Sequence, residues 1–178
     1  MKLKKHKPKL FTFKTKNLSP FTKKKILNLK KIHYKFSLNS QKKWFKENVN
    51  DNDIHIVLMV DKNVIGYNLL HENKCLIESK KKKVLNTIFI FDTLIINKNF
   101  RNMGLSKILM EKSNKIINAK KKLSILVCYK NLIMFYKKFD WRILTKKKLK
   151  YNHLSKDKFS MFYGKNLKLN NIKKIKNL

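Results

Sequence analysis

Arginine, glycine, cysteine and acidic residues are all scarce in this sequence. Its two cysteines, Cys75 and Cys128, form no CxxC pair, and the five histidines show no spacing typical of a metal site or a catalytic triad. We therefore expect no disulfide scaffold and no metal. The basic start, residues 1–9, leads into no apolar segment typical of a signal peptide, and apolar runs such as 56–60 are too short to cross a bilayer. These absences predict a cytoplasmic protein without a membrane partner.

The charge balance is strongly basic. Lysine and arginine total 45 against 10 acidic residues, for a net charge of +35, yet only Arg101 and Arg142 are arginines. Such a charge is typical of nucleic-acid-binding proteins, but base recognition relies on the arginine fork, and the lysines are spread over the whole chain. An A/T-rich coding sequence gives the same composition. A nucleic-acid partner is therefore the less favoured interpretation, although the field favours an anionic ligand.

The order of the predicted elements indicates a mixed α/β fold. Ser19 and Pro20 are typical of an N-cap and a first helical residue, and we expect that helix to run to about Tyr34. A second helix is predicted to begin after the N-cap Ser40. Apolar alternation and 3.6-residue periodicity predict the remaining elements. They are strands at residues 10–13, 54–60, 64–70, 87–96, 123–128, 141–144 and 159–163, and helices at 105–117 and 132–139.

The length of the chain fits one domain. We expect that domain at residues 1–164 and a basic tail at 165–178, which is either a loose amphipathic helix or disordered. Between the strands 54–60 and 64–70 we expect a hairpin turn at residues 61–63.

The most informative segment runs from Ile95 to Lys107, where a buried strand ends, a polar turn follows and a helix begins. The first amides of a helix lack internal partners and carry about half a positive charge, so a pyrophosphate there accepts several hydrogen bonds. Gly104 permits close approach, and Asn102 tolerates a left-handed backbone. Arg101 and Lys107 add charge-assisted contacts. Alternatively, Gly104 only lets the helix pack against its strand.

This turn resembles the Q/R-x-x-G-x-G/A signature of the GNAT superfamily of N-acetyltransferases, with Arg101, Gly104 and Ser106 at the signature positions. Downstream, Asn131 and the run Phe135–Trp141 resemble that family's asparagine-bearing turn and its F-Y-x-x-x-G-F helix end. The resemblance spans about residues 10–165. Ser106 replaces the usual Gly or Ala, and Asp140 replaces a Gly, a change that affects a turn more than the chemistry.

The resemblance implies a fold and a reaction. The fold is a mostly antiparallel sheet of about six to seven strands, splayed between the fourth and fifth and flanked by about four helices. The reaction is direct attack of a primary amine on the thioester of acetyl-CoA. The expected partners are a small-molecule or peptide amine acceptor, with an anionic acceptor slightly favoured, and the chain is expected to be a monomer or a homodimer.

The resemblance also implies roles for particular residues. Tyr136 protonates the leaving thiolate. Asp92 deprotonates the acceptor amine, whose pKa as a lysine would be about 10.4, and Glu72 is the weaker rival. Structural roles are the alternatives for Asp92 and Tyr136. The expected cofactor-binding residues are Leu94, Ile95, Ile96, Arg101, Asn102, Met103, Gly104, Leu105, Ser106, Lys107 and Asn131.

Two other functions stay open at the level of the sequence. One is a GNAT-like domain that binds acyl-CoA without catalysis. The other is a lysine-rich RNA- or ribosome-associated protein. Nucleic-acid binding that persists well above physiological salt would support it, because binding by scattered charge alone fades steeply with salt.

Overall fold

A computed structural model describes residues 7–79, 83–144, 149–150, 157–164 and 172–177. Over these ranges the chain forms helices and strands in alternation, which confirms the predicted mixed α/β class. The helices are α1 (Pro20–Tyr34), α2 (Leu38–Asn48), α3 (Leu105–Ala119) and α4 (Ile133–Lys137). The strands are β1 (Lys9–Lys14), β2 (Ile54–Val60), β3 (Asn63–Ser79), β4 (Lys83–Ile96), β5 (Ser124–Tyr129), β6 (Arg142–Leu144), β7 (Leu149–Lys150), β8 (Lys158–Tyr163) and β9 (Ile172–Asn177). None of the helices in the described ranges is long and apolar enough to cross a membrane.

Serine caps fix the start of the first two helices. Ser19 Oγ accepts a hydrogen bond from the Thr22 amide at 3.2 Å, so α1 begins at Pro20 as predicted. The predicted N-cap Ser40 is wrong. Ser37 caps α2 instead, because its Oγ accepts from the Ser40 amide at 3.0 Å. Lys35 ends α1 with a φ of 58°, which leaves a single residue before Ser37.

The β2–β3 hairpin is tighter than predicted and carries a bulge. Asp61 and Lys62 both have positive φ, 49° and 63°, and Val60 pairs with Asn63, so the turn has two residues, a pattern typical of type I′. The pairing shifts by one residue between Leu58 and Met59, and the extra residue on β3 is Ile65. The carbonyl of Ile65 accepts from the Asn97 amide at 2.7 Å, which ties the bulge to the residue that follows β4.

The chain divides into two compact units, comprising the described residues of Met1–His71 with Asp92–Ser113, and of Glu72–Phe91 with Asn114–Leu178. Each has an apolar core of its own. In the first unit the core includes Ile26, Leu29, Val57, Val64, Tyr67, Leu69 and Ile95. In the second it includes Cys75, Ile77, Ile88, Leu123, Ile125, Leu144 and Phe162. A single domain at residues 1–164 with a basic tail stays a prediction.

Most neighbouring strands are antiparallel. In the first unit β1, β2 and β3 are hydrogen-bonded in that order, and in the second unit residues 83–91 of β4 are followed by β5, β8 and β6. Parallel pairing between β4 and β5 is confined to Phe89–Ser124 and Ile90–Ile125, which confirms the predicted splay between the fourth and fifth strands. Residues 172–177 of the tail differ from the expectation of a helix or disorder, because they form β9, which pairs with Cys75–Ser79 of β3, while residues 165–171 and 178 lie outside the described ranges.

Candidate active site

The turn between β4 and α3 has an irregular backbone. Asn97 Oδ1 accepts from the Asn99 amide at 3.1 Å, which starts a short 3₁₀ turn. Asn102 and Gly104 then adopt positive φ, 61° and 72°, and α3 begins at Leu105. The expected left-handed conformation of Asn102 is therefore confirmed. These two left-handed residues turn the chain so that the first amides of α3 follow directly.

A small cavity of about 280 Å³ lies at this turn. Gly104 does not serve close packing there, because a Cβ built on it would meet no atom within 4 Å. The positive φ of Gly104 favours glycine at this position, and the space beside its Cα is open. The alternative that Gly104 only lets the helix pack against its strand is therefore not supported. The lining residues are Ile96, Phe100, Arg101, Asn102, Gly104, Leu105 and Ser106.

Not every residue predicted for the cofactor lines this cavity. Arg101 does, and its Nε donates to the carbonyl of Ile96 at 3.3 Å. Lys107 instead directs its Nζ to Glu111 Oε1, 3.8 Å away along α3. Met103 is exposed and is not among the lining residues, whereas Phe100, which does line the cavity, was missed because an aromatic residue in a polar turn carries no phosphate signal. The predicted backbone role of residues 94–96 stays a prediction.

A second cavity of the same unit, about 490 Å³, lies between α1, α2 and β4. Asp92 and Thr93 form its β4 wall. Thr93 has a φ of 59°, a strained conformation for a β-branched residue and one that is often found at functional sites. The Thr93 hydroxyl donates to Asp92 Oδ2 at 2.6 Å, and Asn68 Nδ2 donates to the Asp92 carbonyl at 3.0 Å. The other lining residues are Lys30, Tyr34, Phe36, Ser40, Gln41 and Trp44.

The helical wall of this cavity combines a buried amine with aromatic rings. Lys30 is 4% exposed, and its Nζ lies 3.7 Å from the centroid of the Trp44 ring. Burial lowers the pKa of Lys30, and the charge of Asp92 partly opposes this shift. Burial and the Asp92 charge raise the pKa of Tyr34 to about 12, although a hydrogen bond to Thr93 works in the opposite direction. The cavity therefore presents one carboxylate and one amine against an apolar surface.

His55 is fully buried in the first unit. Its Nε2 is 2.9 Å from Thr15 Oγ1 and its Nδ1 is 2.9 Å from the Tyr67 hydroxyl. Burial lowers the pKa of His55 to about 4, outweighing the opposing charge of Asp53. The ring is therefore neutral at pH 7.

The second unit holds Tyr136 and Asn131. Tyr136 is buried in α4 and meets the Phe91 ring edge to face, with centroids 6.1 Å apart. Asn131 is exposed in the short turn Lys130–Leu132. Asp140, at the position where the GNAT motif has glycine, adopts a φ of 63°, so the turn keeps the conformation that a glycine would take. The roles of Tyr136 and Asn131 stay predictions.

Glu72, the rival candidate for the base, is engaged within the second unit. Its Oε1 accepts from Lys122 Nζ at 2.5 Å, and both side chains are partly buried. The role of Glu72 as the rival base stays a prediction.

Comparison with solved structures assigns the fold. The chain superimposes on Escherichia coli ElaA with a TM-score of 0.65 at 13% identity, covering 88% of this chain and 99% of that one. It is similar to an acyl-CoA N-acyltransferase from Pseudomonas aeruginosa (TM-score 0.65, 13% identity, 89% and 100% covered). An aminoglycoside 6′-N-acetyltransferase complexed with coenzyme A matches with a TM-score of 0.64 at 11% identity over 86% of this chain and 96% of that chain. An acetyltransferase of the GNAT family from Staphylococcus aureus matches with a TM-score of 0.58 at 12% identity over 88% of this chain and 99% of that chain. The fold is that of the GNAT N-acetyltransferases.

The likeness is one of fold and not of sequence. Neither the protein-family models nor the curated proteins contain a match to the chain. The predicted GNAT fold is confirmed.

Proposed function

We propose that this protein transfers an acetyl group from acetyl-CoA to a primary amine. The observation that carries the proposal is the open space in front of Gly104 at the start of α3, within a GNAT fold. A glycine with positive φ and no neighbour at its Cβ position is suited to a ligand that approaches the backbone closely.

The chemistry of the small cavity fits a pyrophosphate. The backbone amides at the start of α3 donate hydrogen bonds to phosphate oxygens, and the Arg101 guanidinium adds a charge-assisted contact. Ser106 adds a hydroxyl at the cavity wall. The GNAT-fold aminoglycoside 6′-N-acetyltransferase is complexed with coenzyme A, which supports the same ligand for this chain.

Acetyl-CoA, when bound, supplies an activated acetyl group. The acceptor amine must first lose a proton, because an ammonium group has no free electron pair. Asp92 is the proposed acceptor of that proton, since its carboxylate lines the larger cavity and is oriented by Thr93. Tyr136 is the proposed donor of a proton to the leaving sulfur, on the strength of its position in the aromatic motif.

Removal of the Arg101 charge tests the phosphate site. Arg101→Gln is expected to weaken acetyl-CoA binding about tenfold, because it removes one charge-assisted contact worth about 1.5 kcal/mol. Isothermal titration calorimetry of both proteins measures the effect. Lys115→Gln, which removes the same charge from an exposed position on α3, is the matched control and is expected to bind like the wild type.

Equal loss of affinity in Arg101→Gln and Lys115→Gln would mean that net charge attracts the coenzyme and that the cavity does not select it. A salt series adds a second criterion. Binding that disappears between about 50 and 200 mM salt in all three proteins, together with tight RNA binding, would favour the lysine-rich RNA-associated alternative.

A further inference from the structure

The larger cavity carries two opposite charges that are held apart. Within the described part of the chain, Lys30 Nζ donates no hydrogen bond and forms no ion pair, and it contacts the Trp44 ring. Asp92 lies on the β4 wall, where it accepts from the Thr93 hydroxyl, and its charge only partly offsets the burial of Lys30. A buried ammonium group is energetically costly unless anions compensate it. A second anion beside Lys30 would therefore stabilise the ammonium group.

We propose that the amine acceptor of the proposed reaction is an amino-carboxylate with an apolar side group. This inference rests on the proposed acetyltransferase function. The ammonium group of the acceptor lies at Asp92, its carboxylate pairs with Lys30, and its side group packs on the rings of Tyr34, Phe36 and Trp44.

Each part of the acceptor has a distinct counterpart in the cavity. Lys30 is fixed by the core face of α1, because it follows the buried Ile26 by four residues and Leu27 by three. Its ammonium group is therefore held at one place, unlike the solvated lysines elsewhere. The lowered pKa of Lys30 reflects the cost of burial, and a bound carboxylate would offset that cost.

The aromatic rings set the preference for the side group. Phe36 is 60% exposed and Tyr34 is 38% exposed, so apolar surface remains open beside the two charges. An apolar side group that covers these rings gains the free energy of burial. A polar or charged side group gains none, and a second ammonium group would be repelled by Lys30.

Acceptor binding without acetyl-CoA tests the proposal. Phenylalanine and tryptophan, their decarboxylated amines, their amides and their deaminated acids would be titrated into the full chain by calorimetry. We expect the amino acids to bind at least about tenfold more tightly than any truncated counterpart, because each charged contact contributes a charge-assisted hydrogen bond.

Variants of two lysines on the same helix locate the carboxylate contact. Lys30→Met removes the charge while keeping the length of the side chain and is expected to abolish the preference for amino acid over amine. Lys23→Met is the matched control, since Lys23 also stands over an aromatic ring, that of Phe45 at 4.1 Å, but does not line the cavity. Circular dichroism and thermal melts confirm that both variants fold.

Three results would overturn the proposal: amines that bind as tightly as the amino acids, a preference that survives in Lys30→Met, or no binding by any member of the series. An acetyl-transfer assay separates this inference from the function on which it rests. Amino acids that bind through Lys30 without being acetylated would disprove the acetyltransferase function and leave the ligand class standing.

Discussion

Asp92→Asn is expected to lower kcat/KM for acetyl transfer by about a hundredfold to a thousandfold at pH 7. The amide keeps the shape of the carboxylate and can still accept from the Thr93 hydroxyl, which donates to Asp92 Oδ2. The amide cannot accept a proton from the acceptor amine. General-base catalysis increases the rate by a factor of about 10² to 10⁴. Steady-state kinetics over a range of amine concentrations at saturating acetyl-CoA measure the effect, and an unchanged melting temperature serves as the control for folding.

The pH dependence of the defect distinguishes the two proposed proton-transfer residues. An amine with a pKa near 10 becomes neutral in solution as the pH rises, so the defect of Asp92→Asn is expected to shrink toward pH 10. Tyr136→Phe acts on the leaving sulfur, and its defect is expected to stay constant between about pH 7 and pH 8.5, below the range in which tyrosine hydroxyls ionise, whereas the defect of Asp92→Asn shrinks already over that interval. A defect of Asp92→Asn that stays constant with pH would show that Asp92 does not act as the base.

Protonation of His55 is expected to destabilise the fold by about 3 kcal/mol between pH 6.5 and pH 4. The folded state holds the pKa of His55 at about 4, below the value of about 6.5 in the unfolded chain. Across this window the unfolded chain binds a proton that the folded chain does not, so stability is present above pH 6.5 and is lost as the pH falls toward 4. Urea unfolding at a series of pH values measures the free energy.

Substitution of His55 separates its contribution to the pH dependence of stability from the contributions of the other titratable groups. His55→Gln is expected to be less stable at pH 7 but to lose less stability than the wild type between pH 6.5 and 4. His71 has the opposite effect, because its hydrogen bond to Asp53 raises the pKa of His71 in the folded state. The stability that protonated His71 contributes is therefore present below pH 6.5 and is lost as the pH rises through the pKa of His71 in the folded protein. If the free energies of unfolding of the wild type and of His55→Gln changed with pH in parallel, the lowered pKa of buried His55 would be contradicted.

Structural features that depend on residues close together in the sequence were predicted correctly. The start of α1 follows from Ser19 and Pro20 alone, and the left-handed residue Asn102 follows from its residue type beside Gly104. The candidate base, Asp92, follows from the resemblance to the GNAT family and not from local pattern, and it does line a cavity. The start of α1 and the conformation of Asn102 are cases in which local chemistry decides the outcome.

Features set by distant parts of the chain were missed. Ser37 and Ser40 are equally good caps, and the choice depends on where Lys35 ends α1. β9 forms because Cys75–Ser79 offers it a strand edge, which the lysine-rich tail does not reveal. Lys30 has no signal among 43 lysines except its spacing from Ile26, which places it on the apolar face of α1.

The most direct test of the central claim is the affinity of acetyl-CoA for Gly104→Ala. The added Cβ meets no protein atom within 4 Å, so the fold bears only the strain of positive φ, about 1–2 kcal/mol. Lys121→Ala, which places an alanine at a positive φ of 53° beyond the other end of α3, is the control. We predict that calorimetry shows wild-type-like binding in Lys121→Ala and a loss of about a hundredfold in Gly104→Ala, equivalent to two charge-assisted hydrogen bonds. Equal affinity in all three folded proteins would contradict a coenzyme site at the start of α3.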